Sequence, residues 1–193
     1  MSTLVVLQAV RLKGRVSRDE LVTTLGADPG ELVDDLTRSG LLVDGPALRV
    51  SSDGRARLDE LLTAERNTID EAAISAVYND FRAVNAEFKA LVTDWQVRDG
   101  QPNTHEDSEY DAAVIARLDD VHQRVTPIVA AAADQLPRLS RYSVRLQTAL
   151  DKVHAGDTVW LSRPLIDSYH TVWFELHEEL ILAAGRTRET DDG

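Results

Sequence analysis

The sequence predicts a mainly α-helical chain with two modules: a small helical module that carries one hairpin, and a larger module made only of helices. Apolar residues recur every three or four positions over most of the 193 residues. Two short apolar runs flank Asp44-Gly45-Pro46, which is a hairpin signal. The charge is also uneven, because residues 1–66 have a net charge of −2 and residues 67–193 a net charge of −10.

The first module begins with two helices whose ends are marked by capping residues. Apolar residues from Leu4 to Leu12 predict the first helix, and Gly14 ends it. Ser17 and Glu20 have the spacing of a capping box for the second helix, which Gly26 ends.

A third helix follows with the same kind of signals. Asp28 is expected to cap it, with Pro29 at the first helical position and Glu31 completing a capping box. Gly40 ends this helix. Together with the second helix, it forms a helix-turn-helix outline.

After the hairpin, helical spacing returns through Leu58, Leu61 and Leu62, which completes the order of a winged helix. The stretch GRVSRDELVTTLGADPGELVDDLTRSGLL is similar to the core of MarR-type winged-helix regulators. The stretch VSSDGR, Val50 to Arg55, resembles the step by which that family leaves the wing for its next helix. The resemblance covers about residues 5–65. It implies a winged helix-turn-helix domain over residues 1–66 that binds double-stranded DNA as a homodimer.

Basic residues around the predicted helix-turn-helix are the candidates for DNA contact. They are Arg11, Lys13, Arg15, Arg18, Thr37, Arg38, Arg49 and Arg55, where Thr37 is the one uncharged member. The predicted recognition helix also exposes Glu31, Asp34 and Asp35, which match phosphate poorly. An alternative therefore stays open, in which the winged helix docks on a partner protein or enzyme and never touches DNA.

The second module, residues 67–187, is predicted to be an all-α bundle for dimerisation and effector sensing. Its helices are expected over 69–97, Tyr110–Gln135 and Ser140–His154, with a last one from Ser162-Arg163-Pro164 to Ala184. We expect no paired strand beyond residue 70. Residues 188–193 are too polar to pack, which predicts a flexible tail.

The stretch SYHTVWFELHEEL, Ser168 to Leu180, raises the question of a site. At ~100° per residue, His170 and His177 fall opposite a mostly polar stripe that includes Glu175 and Glu179. We therefore expect both histidines to be largely buried, with Trp173 and Phe174 around them. The predicted pocket, for a small apolar or aromatic effector, consists of Trp95, His122, Trp160, Tyr169, His170, Trp173 and His177.

Several function classes find no support in the sequence. The chain has no cysteine, which excludes zinc fingers, iron–sulfur clusters and thiol nucleophiles. The two histidines of the last helix are ~10 Å apart along its axis, too far to hold one metal together. No phosphate loop or nucleophile elbow occurs, so we expect neither an enzyme nor a cofactor. No signal peptide or membrane span is predicted, and a cytoplasmic transcriptional regulator is the expectation.

Overall fold

The computed structural model describes residues 1–186, and this part of the chain is mainly helical with two small antiparallel sheets. It divides into two compact units. The first contains Met1–Ile69 and the described residues from Ile181 onward, and the second is Asp70–Leu180. Residues 181–186, which we assigned to the second module, thus group with the first unit. The predicted tail, 188–193, lies outside the described residues.

The first unit has four helices and one hairpin before Ile69. They are α1 (Thr3–Lys13), α2 (Arg18–Leu25), α3 (Gly30–Arg38), β1 (Leu42–Val43), β2 (Arg49–Val50) and α4 (Ser52–Arg66). The two strands are antiparallel, with Leu42 opposite Val50. An isolated bridge between Val16 and Leu48 extends the pairing toward α2.

The helix cap at α2 agrees with the sequence prediction, and the cap at α3 does not. At α2 the capping box is confirmed, because Ser17 and Glu20 each accept the backbone N–H of the other. At α3 the predicted box is wrong. The helix begins at Gly30, Pro29 stands at the N-cap position, and the Asp28 carboxylate accepts the Gly30 N–H at 2.8 Å. A proline has no N–H to be capped, so the carboxylate serves the next residue.

The core of this unit forms where the four helices meet the hairpin. It includes Val6, Leu7, Val10, Leu21, Val33, Leu36, Leu48 and Leu58. The close approach of β1 to α4 depends on Gly54, since a Cβ there would lie 2.0 Å from the Leu41 carbonyl oxygen. The Ser51 side chain accepts the Gly54 N–H and donates to the Gly40 carbonyl, which joins the helix start to the chain that enters β1.

The second unit is built mainly from long helices. In chain order its elements are α5 (Glu71–Gln96), β3 (Val97–Arg98), β4 (Gln101–Pro102), α6 (Ser108–Gln135), a 3₁₀ turn (Pro137–Ser140), α7 (Arg141–His154), α8 (Val159–Ser162) and most of α9 (Tyr169–Ala183). The strands β3 and β4 form a hairpin. Among residues 1–186, no helix is long and apolar enough to cross a membrane.

The expectation of helices alone beyond residue 70 is wrong, because β3 and β4 pair there. Their turn is Asp99-Gly100, and both residues have positive φ angles, 51° and 77°. Two successive positive φ angles are typical of the type I′ turn that joins tight hairpins, and Asp-Gly is a preferred sequence for it. The dipeptide lies inside what we interpreted as a polar break.

The last helix also begins later than predicted, at Tyr169. Pro164 sits in a turn rather than at a helix start, and the next residue, Leu165, has a φ of 68°. A leucine in this left-handed conformation interrupts a helix. The Ser168 hydroxyl accepts the Thr171 N–H at 3.3 Å and so caps α9 in place of Ser162.

Candidate functional site

The exposed surface of α3, the predicted recognition helix, is acidic. Glu31, Asp34 and Asp35 are all exposed. Arg38, predicted to contact DNA, pairs with Asp35 at 2.6 Å. The Thr37 hydroxyl donates to the Val33 carbonyl one turn earlier at 2.8 Å, so it serves the helix itself. This surface would bring carboxylates rather than free cations to a phosphate backbone.

Arg18 is held between two aspartates of the same unit. Its guanidinium lies 2.9 Å from Asp34 on α3 and 2.7 Å from Asp44 in the hairpin turn. The hydrogen bonds to Asp44 and Asp34 raise the pKa of Arg18, and the same bond from Arg18 lowers the pKa of Asp44. Arg18 therefore links α2, α3 and the hairpin instead of presenting an available charge.

Arg15, Arg49 and Arg55 have a different environment. All three are exposed, and within residues 1–186 their side chains have no ion-pair or hydrogen-bond partner. Lys13, the last residue of α1, is half-buried. The exposed arginines without a partner in this part of the chain thus come from the segment between α1 and α2, from β2 and from the start of α4.

Three of the predicted DNA-contact residues line one cleft, which we call the arginine cleft. Its volume is about 530 Å³, and it is lined by Val10, Arg11, Gly14, Val43, Arg49, Val50 and Arg55. No acidic residue is in the lining. The structure therefore brings Arg11, Arg49 and Arg55 together and leaves Arg18 and Arg38 at the α3 surface.

In the second unit, rings of α5 and α9 form a row that we call the aromatic row. The Trp173 ring centroid lies 4.3 Å from that of Phe88 and 5.0 Å from that of Phe81. His177 lies 5.2 Å from Phe81, and His170 lies 6.0 Å from Phe88. Rings at these distances pack directly against one another. Trp173 also donates its indole N–H to Asn85 at 2.9 Å. Three predicted pocket residues thus belong to a packed helix contact.

His170 and His177 are mostly covered but not fully buried, so the expectation that both are largely buried is confirmed in part. Phe174, expected to surround them, is 44% exposed. The two imidazoles lie at the edge of the α5–α9 contact, beside the exposed face of α9. Burial lowers the pKa of His170, which favours its neutral form.

The other predicted pocket residues are distributed over several places. His122 joins the aromatic row, with Nδ1 3.1 Å from the Tyr169 hydroxyl and Nε2 3.0 Å from Gln147 Oε1. Trp95 instead stacks on His105 at 4.4 Å, and Trp160 lies under the Lys152 ammonium at 6.0 Å. His122, Tyr169, His170, Trp173 and His177 are therefore close together, whereas Trp95 and Trp160 lie apart from them.

The polar stripe predicted on the last helix does not face solvent. Glu175 is 3% exposed, Glu179 is fully buried and Ser168 is fully buried. The buried arc of α9 is rotated from the predicted one, so that the glutamates point inward and Phe174 points outward. The reason lies on α7 and on the turn before it, where three arginines provide partners that the pattern of one helix does not reveal.

These residues form a buried ion cluster. Glu179 is 2.7 Å from Arg138 and 3.2 Å from Arg141. Arg145 is 2.7 Å from Glu175 and 3.0 Å from Asp167. The cluster consists of Arg138, Arg141, Arg145, Asp167, Glu175 and Glu179, with three formal charges of each sign. Its members come from the 3₁₀ turn, α7, the turn before α9, and α9 itself.

Burial and charge together set the proton affinities in the cluster. Burial raises the pKa of Tyr142, whose hydroxyl lies 3.4 Å from Glu179, and the charge of Glu179 raises it further. Burial alone would lower the pKa of Arg145, but Glu175 and Asp167 raise it above its ordinary value. The Nη2 atom of Arg145 is buried without a hydrogen-bond acceptor among the described residues. The carboxylates of the cluster thus keep Arg145 charged inside the unit.

A second, more open cleft of about 720 Å³ lies at the hairpin of the second unit. Arg98 and Asp107, 2.8 Å apart, are in its lining with several acidic residues. Backbone N–H groups at the start of α6 and Arg98 lower the pKa of Asp107, which caps that helix. Within residues 1–186, no group of three or more His, Asp or Glu side chains is arranged to hold a metal ion.

Comparisons with protein-family models, with curated proteins and with solved structures found no match to the chain. The features that bear on function are therefore the arginine cleft, the acidic α3 surface, the aromatic row and the buried ion cluster.

Proposed function

We propose that the chain is a DNA-binding transcriptional regulator whose residues 1–69 form a winged helix-turn-helix module. The order α1-α2-α3-β1-β2-α4 supports it, with α2 and α3 as the helix-turn-helix and the β1–β2 hairpin as the wing. The MarR-type resemblance of GRVSRDELVTTLGADPGELVDDLTRSGLL and VSSDGR supports it as well. The second unit then serves dimerisation, and the exposed edge of the aromatic row receives a small apolar or aromatic effector.

The division of the arginines carries the proposal. Arg15, Arg49 and Arg55 are exposed without partners among the described residues, whereas Arg18 and Arg38 are paired with aspartates. Affinity for DNA depends on cations that can replace the counterions of the phosphates. In this proposal the hairpin and the adjoining ends of α1 and α4 supply most phosphate contacts, and α3 supplies few.

The test is a salt titration of DNA binding. Fluorescence anisotropy would follow a labelled duplex from the region upstream of the protein's own coding sequence, with wild type and Arg49→Ala/Arg55→Ala. Each lost phosphate contact should reduce the slope of log K against log salt by ~0.9, so the double variant should lose roughly two.

Arg57→Ala is the matched control, because Arg57 is also exposed on α4 but already pairs with Glu60 at 2.8 Å. It should leave the slope unchanged. Absence of wild-type binding at low salt, or the same slope in the double variant, would contradict the proposal.

A second candidate function is a winged helix that docks on a protein and does not bind DNA. The acidic α3 surface favours it, since Glu31, Asp34 and Asp35 are all exposed there. A lysine-rich synthetic peptide is the probe. If this function is correct, the wild type binds the peptide in a salt-dependent way, Glu31→Gln/Asp35→Asn weakens the binding, and the duplex does not bind.

A further inference from the structure

We propose that the arginine cleft binds the phosphoryl group of a small phosphorylated molecule. Arg11, Arg49 and Arg55 come from three different elements and line the same cleft. The planar guanidinium matches phosphate oxygens with pairs of parallel hydrogen bonds. Since no carboxylate is in the lining, the charge of a phosphate dianion meets no repulsion from the walls.

Arg11 provides an observation that points to a ligand. Its Nε donates to Gln8 Oε1 at 3.0 Å, and Gln8 is fully buried, which fixes the guanidinium near the end of α1. The Nη2 atom of the same group is buried and has no acceptor among the described residues. Buried donors in folded proteins nearly always have an acceptor. Because this atom is closed to solvent, a ligand oxygen in the cleft would accept from it once the Arg11 side chain turns toward the cleft.

The rest of the lining indicates the kind of molecule. Val10 and Val50 are buried beneath the cleft, and Val43 is 40% exposed. The volume of about 530 Å³ is within the range of small-molecule sites and exceeds what one phosphate needs. The chemistry therefore fits a phosphate monoester whose organic part packs on the valines.

A regulatory consequence rests on the proposed function. Arg49 and Arg55 are the residues that we expect to contact DNA phosphates, so a ligand in the cleft would compete with DNA. The binding site itself does not depend on that function, because its geometry lies within the cleft.

Isothermal titration calorimetry on the full chain tests the site, with inorganic phosphate and phenyl phosphate as probes. We expect one site per chain and tighter binding of phenyl phosphate, because its ring adds apolar contact. Arg49→Ala/Arg55→Ala should weaken both probes by about tenfold or more, since charge-assisted hydrogen bonds are lost. Arg57→Ala should bind as wild type does.

Circular dichroism would verify that the variants are folded, and Arg11→Lys offers a milder change that keeps the charge but loses the planar fork. Arg11→Lys should also weaken phenyl phosphate. The proposal is overturned if neither probe saturates, or if the double variant binds phenyl phosphate as tightly as wild type.

A last experiment tests whether phenyl phosphate and DNA compete for the arginine cleft. The upstream duplex is titrated with and without saturating phenyl phosphate, and weaker DNA binding in its presence supports competition. Unchanged DNA affinity overturns the regulatory consequence. Phenyl phosphate binding without any DNA binding leaves the site standing and defeats the proposed function. DNA binding without phenyl phosphate binding supports the proposed function and overturns the phosphate site.

Discussion

Arginines have opposite environments in the two units. In the first unit, Arg49 and Arg55 are exposed and have no side-chain partner within residues 1–186. In the second, the Arg138 and Arg145 side chains are both 8% exposed, and each contacts a buried glutamate. The guanidinium group is thus available to an external anion in the first unit, whereas in the second unit it is paired with carboxylates of the same unit.

Burial, rather than pairing alone, decides how much an arginine contributes to stability. Arg18 is paired as closely as Arg145, but its side chain is 43% exposed. Exposed pairs add little to stability because water solvates both charges almost as well. In a buried pair, removal of one partner leaves the other charge without solvent.

Glu179→Gln should have the largest effect, because it leaves Arg138 and Arg141 with an uncompensated buried charge while it preserves the shape of the side chain. We expect a loss of about 3–5 kcal/mol in the free energy of unfolding. Urea unfolding followed by circular dichroism would measure it. Glu106→Gln, the same change at an exposed position, should have almost no effect. Equal stabilities of the two variants would show that the cluster contributes little.

Arg18→Ala removes an exposed arginine that is paired with two aspartates. The loss in stability should be less than about 1 kcal/mol, since both pairs are at the surface. The salt slope of DNA binding should also stay close to that of wild type, because the Arg18 charge is already neutralised by Asp34 and Asp44. A slope reduced as much as in Arg49→Ala would mean that Arg18 leaves its aspartates to contact DNA.

His170→Phe should have the smallest effect on stability. His170 is half-buried, and its exposure lies between that of the buried Glu179 and that of the exposed Arg18. Burial lowers the pKa of His170, so the unfolded chain binds a proton at higher pH than the folded chain does. The free energy of unfolding of the wild type should therefore fall as pH decreases below about 6.5. Over the same pH range, the free energy of unfolding of His170→Phe should fall less. Thermal unfolding between about pH 7 and pH 5 would measure it. Parallel profiles would indicate that His170 titrates as a solvated group.

Local signals in the sequence predicted most of the first unit. The capping box of Ser17 and Glu20 and the hairpin turn at Asp44-Gly45-Pro46 act over a few residues, so a single sequence contains them in full. The Asp99-Gly100 hairpin was equally readable. It was missed because its flanking strands, Val97–Arg98 and Gln101–Pro102, lack the apolar runs that stand on both sides of the first hairpin turn.

The orientation of α9 could not be obtained in this way. A glutamate is placed on the solvent side of a helix unless a partner is known, and the partners Arg138, Arg141 and Arg145 lie about 30 to 40 positions earlier in the chain. The arginine cleft has the same origin, since Arg11, Arg49 and Arg55 come together only through the packing of α1, the hairpin and α4. The start of α9 was missed because Leu165 adopts a conformation that leucine rarely takes.

Substitution of Gly54 should disrupt the arginine cleft, although Gly54 is not in the lining of the cleft. The Leu41 carbonyl oxygen occupies the space of any Cβ, and the Val50 side chain is within 2.8 Å of it. Even alanine would have to push the hairpin away from α4, which would separate Arg49 from Arg55. In a deep mutational scan selected for ligand or DNA binding, this position should accept glycine alone, whereas Gly45 in the hairpin turn, which has open space around it, should accept many residues.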